Sequence, residues 1–310
     1  MTLFGAEPPL GASDRSGDAR GISGPRRAGG DVRAADPGSG LALPRPPVAT
    51  VRLRLDIAYD GSGFRGFAAQ PGQRTVAGVL VEAIGTVVRH SVSVTCAGRT
   101  DAGVHAQGQV VHVDVPEDVD LARLARSVNA LTGPDVVIRH AQVAAPGFDA
   151  RRCALGRHYR YLVHHAETAD PLLARVAWTV AGQLDLRAMA AGADVLVGEH
   201  DFRSLCRRPP GAGPDDPIVR RVLHAQWSVA TAVEPMAAVV QWGRLLRFDV
   251  SATSFCHQMV RSMVGMLVAV GQRRQTVADV HWMLKRADRS GAPDPAPPHG
   301  LSLVRVDYAP

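Results

Sequence analysis

The chain runs to 310 residues, 46% of them hydrophobic, enough for one large domain or two with a sizeable core. A formal net charge of +6 and a pI of about 9.7 tilt its partners toward polyanions, although an arginine bias that leaves Lys285 as the only lysine also fits codon usage in a GC-rich genome. No apolar run approaches membrane-spanning length, since the longest candidate, near residues 259–270, is interrupted by Arg261 and Gly265.

Residues 1–49 are rich in Gly, Pro, Ala, Arg and Asp, carry almost no periodicity and are close to charge balance, which predicts a disordered tail. They hold no apolar segment of the secretory kind, so a cytoplasmic location is expected. Order is predicted from Val51, where Val51, Leu53, Leu55 and Ile57 alternate with Arg52, Arg54 and Asp56 as in a half-buried strand. Turns follow at 59–64 and at Pro71-Gly72. Thr75 then reads as the cap of a helix with Val76, Val79, Leu80, Ala83, Ile84 and Val87 at helical spacing.

The stretch from Cys96 to Val113 is dense in functional groups. Gly98, Gly103 and Gly108 punctuate it, and between them stand Arg99, Thr100, Asp101 and His105, with β-patterned residues on either side. Two readings fit these residues: a loop presenting the Asp101 carboxylate, or a turn capped by Asp101 with Arg99 as its solvated partner. A second helix is expected around residues 120–130 and a strand from Val136 to Val143. The resulting order is β, α, β, loop, β, α, β, an α+β unit over residues 50–150 with helices on one face of an antiparallel sheet.

A second α+β unit is expected over 151–310. It comprises a strand at 157–165, a helix over Leu186–Val197, a surface loop at 209–217, strands at 218–229 and 245–250, and a helix from Ser254 through Val270. Thr276 caps another helix to Lys285, and a strand from Leu303 to Tyr308 closes the chain. Met259, Met263 and Met266 read as core filling. Cys96, Cys153, Cys206 and Cys256 are scattered without a Cys-x-x-Cys pair, so free thiols are expected, and neither a zinc knuckle nor a disulfide framework is.

The motifs, taken together, resemble the tRNA pseudouridine synthase A family. Gly98-Arg99-Thr100-Asp101-Ala102-Gly103-Val104-His105-Ala106, continuing into Gly108-Gln109-Val110-Val111, is similar to its signature loop. Tyr59-Asp60-Gly61-Ser62, Gln70-Pro71, Arg74-Thr75-Val76, Arg157 with Tyr159-Arg160-Tyr161, Gly198-Glu199-His200-Asp201-Phe202, Ser254-Phe255 with His257 and Met259-Val260-Arg261, and Ala296-Pro297 with Gly300-Leu301 follow in family order. The resemblance spans residue 51 to the end of the sequence. Departures are Phe67 and Ala68 where the family has Trp-Gln, Asp149 and Gln258 for His, and Ser262 for Asn, all expected around a substrate groove.

The resemblance implies two ferredoxin-like halves with antiparallel sheets joined into one, the pseudouridine synthase fold, with a central RNA-binding cleft. It implies isomerisation of uridine to pseudouridine in the anticodon stem and loop of tRNA by a cytoplasmic homodimer, with no cofactor or metal and with no membrane or DNA partner. Asp101 takes the part of nucleophile or general base, which requires an ionised carboxylate in a water-poor pocket and hence a nearby cation. Arg261 matches the family's active-site arginine; Arg99 could serve instead or bind phosphate. Tyr159 is the expected contact for the uracil, whose removal from the stack an aromatic ring can offset. His105 and His257 are further RNA-binding candidates, each with the alternative of satisfying local backbone. Two other classes compete: a catalytically silent RNA-binding or RNA-folding protein of the same fold, and a metal-free hydrolase with Asp101 as nucleophile, which lacks a convincing second acid or base.

Overall fold

The two-residue alternation at the start of the ordered sequence produces the strand it predicts. In the computed structural model, β1 (Thr50–Tyr59) buries Leu53, Leu55 and Ile57 completely, while Arg54 pairs with Asp56 and Arg52 reaches Asp114 on the more polar face. The structure describes residues 49–208, 211, 213, 216–230, 240, 242–286 and 291–310. The tail expected over 1–49 lies outside them except for residue 49, as does part of the loop expected at 209–217.

The first half follows the predicted order. Thr75 caps α1 (Val76–Val88) by accepting the Gly78 N–H, and β2 (Val94–Cys96) leads into the Asp101 loop. That loop is shorter than the motif, because β3 (His105–Pro116) already begins at His105. Asp120 caps α2 (Leu121–Thr132), and β4 (Val136–Val143) ends the half. Leu80, Ile84, Leu124 and Val128 form the buried faces of two helices that pack on each other.

The second half comprises β5 (Gly156–His165), β6 (Trp178–Val180), α3 (Leu186–Val195), β7 (Gly198–Asp201), β8 (Val219–Val229), β9 (Arg244–Ala252), α4 (Met259–Gly271), α5 (Val277–Arg286) and β10 (Leu301–Asp307). β6 and β7, at three and four residues, are too short for periodicity to reveal. The helix expected from Ser254 starts at Met259 instead. Gln258 has φ 66°, a left-handed conformation that an α-helix cannot contain, so residues 253–258 form an irregular arch. No helix among the described residues is long and apolar enough to cross a membrane.

Among the described residues ten strands form one sheet, in the order β4-β1-β3-β10-β5-β9-β8-β7, with β2 beside β3 and β6 beside β5. Most neighbours are antiparallel, as expected for each half. The joint is not: the last strand, β10, lies between the halves, antiparallel to β5 and parallel to β3 through Ser302 opposite His105 and Leu303 opposite Ala106. Gly108 makes this approach possible, because a Cβ there would run into the Val304 carbonyl.

A buried arginine ties the same region together. Arg157 on β5 donates to four carbonyls, those of Ala154 at 3.1 Å, Thr253 at 2.6 Å, Ala97 at 2.9 Å and Arg151 at 3.0 Å. Burial pulls its pKa below the usual arginine range. The planar fork suits this task, since five fixed donors can serve acceptors from three segments at once.

The thiol expectation holds for Cys96 and Cys153 only. The structure brings the sulfurs of Cys206 and Cys256 into contact, with Cα atoms 5.9 Å apart, a separation a disulfide can span. Their sequence distance gave no hint of it.

Two stability measurements test this account. Gly108→Val should lower the urea midpoint by an amount equivalent to about 1–3 kcal/mol through overpacking at the joint, while Gly291→Ala, in open space, should leave it unchanged. Arg157→Leu strands four carbonyls, and a loss of about 3 kcal/mol or more is expected in the same assay.

Candidate active site

The loop from Ala97 to Val104 is fixed along its length before any ligand arrives. Ala97 donates its N–H to the Val110 carbonyl, Gly103 donates to Phe64, and Val104 closes a turn on the Asp101 carbonyl at 3.2 Å. Phe67 donates its N–H to the Thr100 carbonyl at 3.1 Å. The turn leaves the Asp101 side chain facing the second half, 21% exposed.

Arg261 stands in the first turn of α4 and puts Nη1 3.1 Å from Asp101 Oδ2. Its other donor, Nε, gives a 2.7 Å bond to the Ala296 carbonyl, and Ala296 returns its N–H to the Arg261 carbonyl at 2.9 Å. This two-way link needs the segment at 294–296 to lie against the helix, which Gly265 permits, since a Cβ there would strike the Asp294 carbonyl. Arg261 is only 14% exposed, so its charge is poorly screened where it meets the carboxylate.

The arch at 253–258 supplies the other side. His257 Nε2 lies 3.2 Å from Asp101 Oδ1, with the imidazole 47% exposed. Its carbonyl accepts the Arg207 N–H at 2.9 Å, which fixes the arch against the turn after β7. Phe255, on the same arch, meets Tyr159 edge to face with ring centroids 5.2 Å apart. Tyr159 lies on β5, and its hydroxyl would be 3.9 Å from a Cβ built on Gly98. Burial first, then the neighbouring Tyr59 and Asp101, push the Tyr159 hydroxyl well above the ordinary phenol range, so it stays protonated.

The sequence candidates therefore divide. Asp101, Arg261, His257 and Tyr159 converge. Arg99 is exposed on the same loop and makes no hydrogen bond to another described residue, so its charge faces solvent. His105 is not offered to the cleft. Its Nδ1 accepts the Gly61 N–H at 3.0 Å, which assigns the ring proton to Nε2, and Nε2 sits 2.9 and 3.0 Å from the Arg175 and His299 carbonyls. The 3.1 Å approach of Asp60 Oδ1 to Nδ1 is then a contact between two acceptors and not an ion pair. His105 thus fastens three backbone segments that are distant in the chain, not the local backbone of its alternative reading.

Tyr161, two residues from Tyr159, is fully buried and donates to the Pro297 carbonyl at 2.8 Å. Of the departures from the family pattern, Phe67 and Ser262 are buried and do not line a groove. Asp149 caps the turn at Arg151 and Arg152, and Gln258 supplies the left-handed residue before α4. Sequence reasoning assigned no role to Tyr59, Gln109 or Arg157, which all touch this loop from below. Their presence in matched motifs was the only signal.

Comparison with known proteins places the chain in a family. The family described as tRNA pseudouridine synthase matches residues 193–309. The tRNA pseudouridine synthase A of Frankia casuarinae is 47% identical over 264 residues, covering 84% of this chain and 90% of that protein. Its counterpart in Mycobacterium leprae is 41% identical over 285 residues, covering 86% and 94%, and that of Geobacter sulfurreducens 37% over 256 residues, covering 83% and 99%. Among solved structures, that of a Cbf5-Nop10-Gar1 complex matches with a TM-score of 0.32 at 14% identity, over 81% of this chain and 49% of that one, too slight a likeness to carry an argument. At these identities and over nearly the whole of the relatives' length, the chain belongs to the tRNA pseudouridine synthase A family.

Proposed function

We propose that this protein isomerises uridine to pseudouridine in the anticodon stem and loop of tRNA, with Asp101 as its nucleophile or general base. The observation that carries the reading is the Asp101 carboxylate, held at 3.1 Å by a poorly solvated arginine from the other half of the chain yet still partly open to solvent. The pairing sets an opposite charge against the carboxylate and fixes its direction.

The reaction breaks the bond between uracil N1 and the ribose, turns the base and joins C5 to the same carbon, while C5 gives its proton to solvent and N1 takes one up from solvent. No electron is gained or lost, so the groups present suffice in kind. Arg261 holds and aims Asp101. His257, on the other carboxylate oxygen and half exposed, is suited to contact the RNA as well as Asp101. The Tyr159 ring, braced by Phe255, offers the face on which the extruded uracil stacks, worth roughly 1–3 kcal/mol. Arg99 is free to take a phosphate. Action in the cytoplasm as a homodimer, on tRNA rather than DNA, belongs to the same proposal.

The decisive experiment uses unmodified tRNA tritiated at uridine C5. Wild type should release tritium to water and Asp101→Asn should not; tight tRNA binding without release by wild type would favour a silent RNA-binding protein. Tyr159→Leu should slow release roughly 10- to 100-fold, as expected for a lost stacking partner. Tyr161→Phe should keep the wild-type rate and lose about 1 kcal/mol of stability, the worth of one hydrogen bond. Equal rate losses at the two tyrosines would count against the assignment. Affinity for tRNA should fall linearly with salt on logarithmic axes, because phosphate contacts release counterions.

A further inference from the structure

Beneath the Asp101 loop lies a chain of buried polar side chains that the mechanism above does not use. Gln109, on β3 and 0% exposed, points its amide Nε2 at the Gly98 carbonyl, 2.7 Å away, and at the Tyr59 hydroxyl, 3.4 Å away. The Gly98 oxygen can only accept, so the amide orientation is set by chemistry. Tyr59, at the end of β1, lies 2.8 Å from the Thr100 hydroxyl. Since the Tyr59 oxygen faces a donor in Gln109, its own proton goes to Thr100, and burial keeps that phenol protonated by pushing its pKa up. Gln109 Oε1 is buried with no partner among the described residues.

A glutamine with an orphaned buried oxygen costs stability relative to an apolar residue of similar shape. One donor bond ends on Gly98, the residue before Arg99; the other ends on Tyr59, whose hydroxyl meets that of Thr100, the residue before Asp101. Phe67 adds a third point by holding the Thr100 carbonyl. The loop is therefore pinned at Gly98 and Thr100, while Asp101 itself is held from above by Arg261.

We infer that Gln109 and Tyr59 are positioning residues for the nucleophile: through Gly98 and Thr100 they set the backbone from which Asp101 projects, and they act on turnover while leaving tRNA affinity alone. The inference rests on Asp101 being the reacting carboxylate. It gives a purpose to two motif residues whose polar contacts all lie within the protein.

The test is single-turnover tritium release by the full chain, beside tRNA affinity and the urea midpoint, for Tyr59→Phe, Gln109→Leu, Thr100→Val and Thr100→Ser. Tyr59→Phe, Gln109→Leu and Thr100→Val should each slow release at least about tenfold per folded molecule, short of the ~100-fold loss from a 1 Å misplacement. tRNA affinity should stay within about twofold of wild type, since only a transition-state interaction is lost. Thr100→Ser, which keeps the hydroxyl, should restore the rate. The double variant Tyr59→Phe with Gln109→Leu should lose no more than the worse single one, because both act through one loop.

Gln109→Glu adds a pH readout. Its carboxylate faces the Gly98 carbonyl as a second acceptor, and only the protonated acid can donate, so its rate relative to wild type should rise as pH falls. Wild-type rates in Tyr59→Phe and Thr100→Val, or losses explained by weaker tRNA binding, overturn the inference. If wild type is active but Asp101→Asn is equally so, the nucleophile reading fails and the positioning argument with it. If Asp101→Asn is dead and the pinning variants are not, only the positioning argument fails.

Discussion

Asp101 and Arg261 are 160 residues apart in the chain and 3.1 Å apart in space, and much of the molecule can be understood as what holds them there. Each supplies the opposite charge to a group with little solvent around it, Asp101 at 21% exposure and Arg261 at 14%. The pair also has a second bond on each side. Arg261 is anchored through the Ala296 carbonyl, and the loop of Asp101 is pinned from beneath, so the contact is a meeting of two rigid supports and not of two flexible side chains.

That requirement explains the odd strand of the sheet. The C-terminal strand β10 lies between β3 and β5, so the loop that precedes β3 and the tyrosine on β5 are separated by one strand. A parallel β3 and β10 pair over two residues is a slight connection in hydrogen bonds. What reinforces it is polar and buried: Arg157 with its four carbonyls, and His105 with its three backbone segments. The interior next to the site is thus more polar than a stability-optimised core would be, as expected where geometry must be specified and not merely packed.

Much of the fold was legible in the residues. Two-residue alternation located β1, helical spacing located α1 and α2, and Thr75 and Thr276 mark helix starts by cap chemistry. The misses have local causes. The helix is expected to begin at Ser254, but the left-handed Gln258 postpones it to Met259, and that delay creates the arch carrying His257 and Phe255. β6 and β7 owe their existence to neighbouring strands, since three or four residues carry no period of their own. In the site, Asp101, Arg261 and Tyr159 were readable through resemblance, whereas His105 has a polar side chain in a motif and no sequence feature to say that backbone would claim both nitrogens.

The sequence by itself determined the periodic elements, their order, the loop with its carboxylate, and the family, because those depend on residues close together or on a motif matched position by position. Tertiary structure alone decided which cation meets Asp101 and that the closing strand joins the halves. It alone decided that Cys206 meets Cys256 and that Tyr59 and Gln109 touch the Asp101 loop. Those are distances between residues tens to hundreds of positions apart, and they follow from where strands pair and helices pack, which no local pattern encodes.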